Sequence, residues 1–480
     1  MIEQTLSKAQ AQARKGNIEH AIALCEKVLI LYPENNRAKD ALKKLRLQNG
    51  KSEENRFQNW LRKVKLLLQS ENYPTLYNEA KYFSNEHPRF FEAWMILGTV
   101  AAQLNKLEEA ETALKIAISL KPENIEAQNN LGLCFIKNWQ LEKAMLVFDK
   151  IISARANYAE AHSNKGVALF KFGKYKESIA SFETAIIIRP NFSSAHANLG
   201  RALHKIGLLQ KAETSLRTAI RLNEFDADAY FSIGLIQIEK NELEMAKESL
   251  IKALSISPKL EEAQHLLAAL NGQTSSTAPR TYVEKLFDDY AADFDYKLSQ
   301  ELSYKTPKRL FEIITNQSMP AKTANILDLG CGTGLFGEQI YGSCEAIDGV
   351  DLSRGMLEKA KQKNIYKNLY QSDIEEYLKR ADLAYDFFVF ADVFVYIGDL
   401  RNIFSLIKSR VKSPATIAFS TEHELCEGYL LKASGRYAHS YSYIEQICNQ
   451  FDLNLHYFEE VNLRKEKTKF IQGGLYLVQH

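Results

Sequence analysis

The stretch Ile326-Leu327-Asp328-Leu329-Gly330-Cys331-Gly332-Thr333-Gly334 decides the fold of the second half of this chain. It predicts an apolar β-strand with an acid near its end, then a glycine-rich turn into a helix. Such a turn at a strand's carboxyl end lets a ligand approach the backbone without Cβ clashes. About twenty residues on, Gly349-Val350-Asp351-Leu352-Ser353 ends the next apolar run in a second acid, where an α/β sheet holds ribose hydroxyls by two carboxylate oxygens. Gln371-Ser372-Asp373-Ile374 and Phe390-Ala391-Asp392-Val393 end a third and a fourth run in the same way. Phe387 to Ile397 reads as a buried strand. Strands and helices alternate from Ile326 to Gly398, the pattern of a parallel, doubly wound sheet. After Ile417-Ala418-Phe419 the rhythm changes. Leu453 to Asn462 and Gly474 to Val478 read as two strands joined by the charged turn Arg464-Lys465-Glu466-Lys467.

The series Asp328, Gly330-Cys331-Gly332-Thr333-Gly334, Asp351, Asp373 and Asp392 resembles the motif series of class I S-adenosylmethionine-dependent methyltransferases. The resemblance implies a Rossmann-like, seven-stranded α/β sheet with an antiparallel last strand, and S-adenosylmethionine as cofactor. That last strand speaks against a dinucleotide-binding oxidoreductase, as does the lack of the third-glycine spacing of G-x-G-x-x-G. By the same resemblance, the backbone of Gly330, Cys331 and Gly332 would pass close to the methionyl part. Asp328 would contact its amino end, directly or through water. Asp351 would accept from both ribose hydroxyls. Leu352 and Met356 would cover the adenine, Asp373 would accept from its amino group, and the Ile374 N–H would face a ring nitrogen. Asp392 would lie beside the reacting methyl. Each acid has an alternative as a helix N-cap or loop solubiliser, and Cys331 reads as a small turn filler.

Residues of an acceptor site are sought after the fifth strand. Ser420-Thr421-Glu422-His423 stands at its end, and Gly435-Arg436-Tyr437-Ala438-His439-Ser440 precedes a helix expected over Tyr443 to Gln450. His439 is a candidate base, since imidazole titrates near neutrality. Glu422, Arg436 and Tyr437 are candidate acceptor contacts. The competing reading is that Ser440 or Ser442 caps the next helix and His439 packs beside it.

Ahead of the first strand, Val283, Leu286, Phe287, Tyr290, Ala291 and Phe294 follow helical spacing. Residues 281–315 resemble the helical lid of small-molecule methyltransferases. That resemblance puts Tyr290 against the methionine end, with Tyr282 as second choice. Phe287 and Phe294 read as packing on the sheet. Thr306-Pro307 starts a helix over Lys308 to Thr315.

The first half is periodic. Gly98, Gly132, Gly166, Gly200 and Gly234 stand 34 residues apart. Ala110, Ala144, Ser178, Ala212 and Ala246 follow them at a constant interval, and then Leu114, Phe148, Phe182, Leu216 and Leu250. Pro122, Pro190 and Pro258 close three of the units. This is the tetratricopeptide signature of paired antiparallel helices. The small residues let the two helices approach, and the large ones fill the hole opposite. Clear repeats run over 91–258, and 54–88 is a degenerate unit, so the solenoid is expected over 54–270. Residues 1–50 hold another helical repeat, Asn49 to Asn55 a flexible break, 260–270 a capping helix, and 271–280 a small, polar linker to the lid. The catalytic domain is expected over 316–480.

Asn130, Asn164 and Asn198 recur in register. They resemble the asparagine ladder of O-linked N-acetylglucosamine transferases, which implies an extended peptide or protein partner. Lys137, Lys171 and Lys205 also align and read as solvated helix ends. The two halves together resemble bacterial tetratricopeptide-repeat methyltransferases.

The totals exclude other classes. A chain of 480 residues needs more than one core. A net charge of +2 gives no basic field for nucleic acid. Six scattered cysteines have neither metal-site nor disulfide-framework spacing, which suits a reducing cytoplasm and no metal. No apolar run is long enough to span a membrane. The leading expectation is a methyltransferase whose repeats recruit a protein that is, or carries, the acceptor. The others are a small-molecule methyltransferase with an assembly solenoid, and a non-catalytic adaptor that senses the cofactor.

Overall fold

The structure, a computed structural model, describes residues 2–317, 322–380, 383–411, 415–425, 427–466 and 469–480; Lys467 of the charged turn and Cys426, one of the six cysteines, lie outside them. It divides into two compact units, Met1–Ala127 and Gln128–His480.

In the first unit, helices Ile2–Arg14 and Ile18–Leu31 pack around Ala9, Ala21 and Cys25 with Leu42 and Leu45 of the next helix. That next helix runs unbroken from Asn36 to Gln69. The polar segment Asn49 to Asn55, expected to be flexible between two repeats, is thus part of that helix. Phe57 and Trp60 carry the helix onward by anchoring its second half, Trp60 stacking on Phe83 with centroids 4.3 Å apart. Helices Tyr73–Glu86, Phe91–Gln103 and Leu107–Leu120 complete the unit's pairs.

The second unit continues the pairs. First helices Ala159–Phe172, Ser193–Lys205 and Ala227–Glu239 alternate with second helices Leu141–Ala154, Tyr175–Ile188, Leu209–Leu222 and Leu243–Ile256. Helix Glu261–Leu270 covers the end. The steric logic of the repeat is visible at each glycine. A Cβ on Gly166 would stand 2.6 Å from Phe182 Cε1, and one on Gly200 2.6 Å from Leu216 Cγ. Ser178 replaces alanine because its hydroxyl donates to Gly166 O at 2.8 Å.

The expected linker is pinned. Gly398 and Asp399 N–H both donate to Ser276 O, at 2.9 and 2.8 Å, and Ala278 N–H donates to Tyr396 O at 2.9 Å. Its small residues let the backbone lie against the catalytic domain. The lid follows as helix Arg280–Tyr290, a turn at 291–293, short helical pieces Phe294–Tyr296 and Lys297–Glu301, and helix Thr306–Gln317.

Among the described residues the sheet holds nine strands: β1 Asn325–Leu329, β2 Ala346–Asp351, β3 Asn368–Gln371, β4 Phe387–Phe390, β5 Thr416–His423, β6 Tyr429–Leu431, β7 Tyr437–His439, β8 Asn454–Glu466 and β9 Lys469–Gln479. β3-β2-β1-β4-β5 are parallel neighbours, β9 lies antiparallel against β5, and β8 lies outside it. Those seven strands are the doubly wound α/β sheet expected. Two additions were not. The hairpin β6–β7 pairs with the far end of β5 through Glu422↔Ala438 and His423↔His439. β8 and β9 also run beyond their expected ends, so Arg464 lies in a strand and not in a turn. β4 is shorter than read. It stops at Phe390, and Phe394–Tyr396 forms a short helical turn.

Replacing Gly166 with valine should destabilise the second unit by about 1–3 kcal/mol, the usual range for overpacking. Urea unfolding followed by far-UV circular dichroism measures it, and unchanged stability would contradict the close approach.

Candidate functional site

The glycine turn leaves β1 under two constraints. Gly330 has φ +71°, and a Cβ there would collide with Val393 at 2.4 Å. Gly332 has φ +53°, and a Cβ there would meet only Phe294 of the lid, at 3.8 Å. The turn and the lid thus face each other across a narrow gap. Four of the turn's amides are used within the protein. Gly330 and Cys331 N–H donate to Val350 O, Gly334 N–H to Cys331 O, and Gly332 N–H to Asp351 Oδ2 at 2.9 Å. The turn is therefore no cradle for phosphate, which would need those donors free.

Two acids sit beside it. Asp328 is buried; Tyr366 Oη donates to its Oδ2 at 2.7 Å, and its Oδ1 has no partner. Burial, aided by the charge of Asp351, pushes its carboxyl up to about 7 against the Tyr366 hydrogen bond. Asp351 accepts from Ser353 N–H at 2.8 Å and from Gly332 N–H, yet burial still lifts it to about 6. Cys331 fills the turn as expected, buried with its Sγ packed against Gly349. Leu352 is half-buried at the cleft, whereas Met356 is fully enclosed. Asp373 caps helix Ile374–Leu378, its Oδ1 accepting from Glu375 and Glu376 N–H at 2.9 and 3.2 Å, so the capping alternative describes that oxygen.

The segment expected as a lid packs on these loops. Asp288 Oδ1 accepts from Ser353 Oγ at 2.6 Å and from Gly355 N–H at 3.1 Å, and Asp295 accepts from Thr333 Oγ1. Phe294, not Tyr290, is the aromatic of this segment at the glycine turn, while Tyr290 has Tyr396 and Arg436 within electrostatic reach. Helix Arg280–Tyr290 ends before the glycine turn, and the bend after it carries Phe294 there. Tyr290 instead lies under the Lys205 ammonium, 4.1 Å from its ring centroid. Tyr282 is buried against His265, with centroids 5.0 Å apart.

At the ends of β4 and β5 a charged group is enclosed. Asp392 has φ +58°; its N–H donates to Ser420 Oγ at 2.8 Å, and that hydroxyl donates to Asp392 Oδ1 at 3.0 Å. Arg464 of β8 donates to Asp392 Oδ2 at 2.9 Å and to buried Glu422. Arg436 pairs with Glu466 at 3.2 Å and lies within electrostatic reach of Tyr396 and Glu422. Tyr304 stands among Asp392, Arg464 and Asp328, and burial first, then Asp392, holds its hydroxyl well above the ordinary range. Sequence reading missed Arg464, Tyr304, Tyr366 and Asp288. Only Arg464 gave a signal, as a charge taken for part of a solvated turn.

His439 and Tyr437 do not join this group. Strand alternation in β7 turns both away from the Arg436 side. His439 is fully buried; its Nε2 donates to Gly398 O at 2.9 Å, and burial pulls it down to about 4. It packs at the start of helix Tyr441–Gln450, which Ser440 caps by accepting from Tyr443 N–H. The base reading of His439 is thus replaced by its structural alternative. Tyr437 is buried, with its hydroxyl 2.6 Å from Ser275 Oγ of the connecting segment, and offers nothing to an acceptor. Asn130, Asn164 and Asn198 are half-buried on their first helices. Asn164 Nδ2 donates to Asn129 Oδ1 at 2.8 Å, and Asn198 Oδ1 accepts from Arg201. Among the described residues no cluster of His, Cys, Asp and Glu is arranged for a metal, and no helix is long and apolar enough to cross a membrane.

The raised carboxyl of Asp328 has a sign. Its protonated form is favoured in the fold, so its contribution to stability is present below the unfolded value and lost as pH rises through about 7. Wild type should lose more stability between about pH 5 and pH 8 than Asp328→Asn, by on the order of a few kcal/mol. Urea unfolding at the two pH values checks this; a wild type that gains relative to the variant contradicts it.

Comparison with known proteins agrees with the two-part fold. Residues 326–413 match the model of a methyltransferase domain. Residues 159–192, 193–226 and 227–260 match tetratricopeptide repeat models, as do 79–125 and 97–160. An uncharacterized protein of Haemophilus influenzae is 33% identical over 152 residues, 28% of this chain and 58% of that protein. Malonyl-[acyl-carrier protein] O-methyltransferase 1 of Ilyobacter polytropus is 34% identical over 105 residues, 21% and 38% of the two chains. Ubiquinone biosynthesis O-methyltransferase of Coxiella burnetii is 25% identical over 162 residues, 33% and 65%. The chain spans less than two thirds of the length of each of these relatives. The glycine-spaced helical repeats and the sheet with its glycine turn and antiparallel last strand thus coincide with these matches: the chain carries tetratricopeptide repeats within 79–260 and a methyltransferase domain over 326–413.

Proposed function

We propose that the chain transfers a methyl group from S-adenosylmethionine to an acceptor that is, or is carried by, a protein partner of the repeats. One observation carries the cofactor reading: Asp328 Oδ1 is buried and unpartnered beside a second raised acid, Asp351. A ligand with a cationic amino group would satisfy that oxygen. A pyrophosphate would add charge of the same sign and would find the turn's amides occupied.

The cofactor, when bound, supplies a methyl group on a cationic sulfur with a good leaving group. The protein's share is then alignment and exclusion of water. Asp328 would hold the amino end. Asp351 would take the ribose hydroxyls with the lone pairs its two amides leave. Leu352, Asp373 and the Ile374 N–H would border the adenine, and the lid would shut the gap above Gly332. Asp392, fixed by Ser420 and Arg464, is the group proposed to orient the acceptor and receive its proton, in place of His439. Glu422 and Arg436 would line the acceptor's approach. The two relatives named above for their reactions are O-methyltransferases, so an oxygen acceptor is the first class to try.

Calorimetric titration tests the cofactor. S-adenosylmethionine should bind about one-to-one and NAD should not; NAD binding alone would refute the reading. Asp351→Ala should abolish binding. Near neutral pH, binding should release protons from Asp328, so the measured heat should vary with the buffer's ionisation enthalpy. A buffer-independent heat would speak against Asp328 as the partner of the amino group. Alanine at Asn130, Asn164 and Asn198 together should reduce capture of a crosslinked partner while leaving cofactor affinity unchanged, and equal capture would remove the ladder from the proposal.

A further inference from the structure

The lid has two sets of contacts. One is with the cofactor loops, described above. The other is with the repeats. Trp139 and Gly173 stand 34 residues apart, at the loop edges of successive repeats, and Lys205 ends the first helix of the next. A Cβ on Gly355 would lie 2.4 Å from the Trp139 ring and 2.9 Å from Ala291, so Trp139 presses on the start of helix Arg354–Gln362, which Asp288 holds. A Cβ on Gly173 would lie 3.0 Å from Ala292. Lys205 does most. Its Nζ donates to Asp289 O at 2.8 Å, lies 3.4 Å from Asp293 Oδ1 and sits over the Tyr290 ring. Its side chain is 9% exposed, unlike the solvated helix end its sequence position suggested. Farther along, Leu235 and Ile238 of the last first-helix and Val283 and Leu286 of the lid pack against one apolar cluster that includes Tyr282.

These contacts meet the lid where it bends. Residues 291–293 separate helix Arg280–Tyr290 from Phe294, the residue over the glycine turn. One cation holds a backbone carbonyl and a ring of the helix's last turn and a carboxylate of the bend. We propose that Lys205 is a positioning residue for the lid, through which the repeats set how fast cofactor enters and leaves the cleft. The inference rests on the reading of the cleft as a cofactor site.

Five groups face Lys205: the Asp289 and Asp293 carboxylates, the Lys297 ammonium, and the phenols of Tyr175 and Tyr290. Burial pulls the Lys205 ammonium down to about 8 against the pull of Asp293. The cation is thus lost at a pH the protein can be studied at, and the lid should loosen with it.

Two measurements on the full chain test this, with Lys205→Met, which keeps the stem and removes the charge, and Lys205→Arg, which keeps a charge. In the free protein, amide hydrogen exchange over 283–297 should be about tenfold faster in Lys205→Met, the change expected for losing one partly desolvated cation–π contact. Lys205→Arg should stay near wild type. Unchanged lid exchange in Lys205→Met overturns the proposal, and so does equal acceleration throughout the repeats and the sheet, which would mark a merely structural lysine. In stopped-flow experiments, S-adenosylmethionine should dissociate about tenfold faster from Lys205→Met. The wild-type rate should climb toward the variant's as pH passes about 8, with the variant's rate flat. Equal rates at every pH overturn the coupling to cofactor. A wild type that binds no S-adenosylmethionine overturns both the function proposed above and the cofactor half of this inference, while the exchange result still decides the lid contact on its own.

Discussion

Two carboxylates at neighbouring strand ends, Asp328 buried and Asp351 half-buried, govern the catalytic half. Water is largely excluded from Asp328 and Asp351, so each must find donors inside the protein or give up its charge. The turn between β1 and the following helix is shaped around that need. It spends the Gly332 amide on Asp351, and Tyr366 is brought across from the segment before β3 to reach Asp328. The need is met only in part, because one oxygen of Asp328 has no partner. The free fold stores an electrostatic mismatch in its cleft, and the ligand that fits best is the one that removes it.

A second arrangement of charge solves the opposite problem. Asp392 and Glu422 come from adjacent parallel strands, whose carboxyl ends point the same way. Two acids thrown together by topology repel unless a cation lies between them. Arg464 supplies it from β8, two strands away, and does so because that strand extends beyond the length its apolar residues alone would suggest. The planar guanidinium suits this bridging, as it offers separate donors to two carboxylates in fixed directions.

What could be read from the sequence follows from the range of each constraint. The repeat was legible because its cause is local and recurs: a glycine in one helix leaves the hole that Phe148, Phe182, Leu216 or Leu250 fills in the next. Asp351 and the glycine turn were legible because strand, acid and turn are contiguous. Tyr304, Tyr366, Asp288 and Arg464 are set by which distant strands and helices become neighbours, and nothing in their own surroundings marks them. His439 and Tyr437 misled for a related reason. A polar stretch taken for a loop is a hairpin, and alternation buries half of its side chains. The segment Asn49 to Asn55 misled because its polar composition describes an exposed helix as well as a break.

The seam between repeats and lid has a consequence for how such a chain can change. Helical repeats ordinarily multiply and disappear with little penalty, because each unit meets only its neighbours. Here Trp139, Gly173 and Lys205 meet fixed points on another fold. Gaining or losing one unit between them would carry the wrong residue to each point, as a gear displaced by a tooth does. The number of repeats in this stretch is therefore held by the lid, and the array behaves as a ruler whose length is set by what it is laid against.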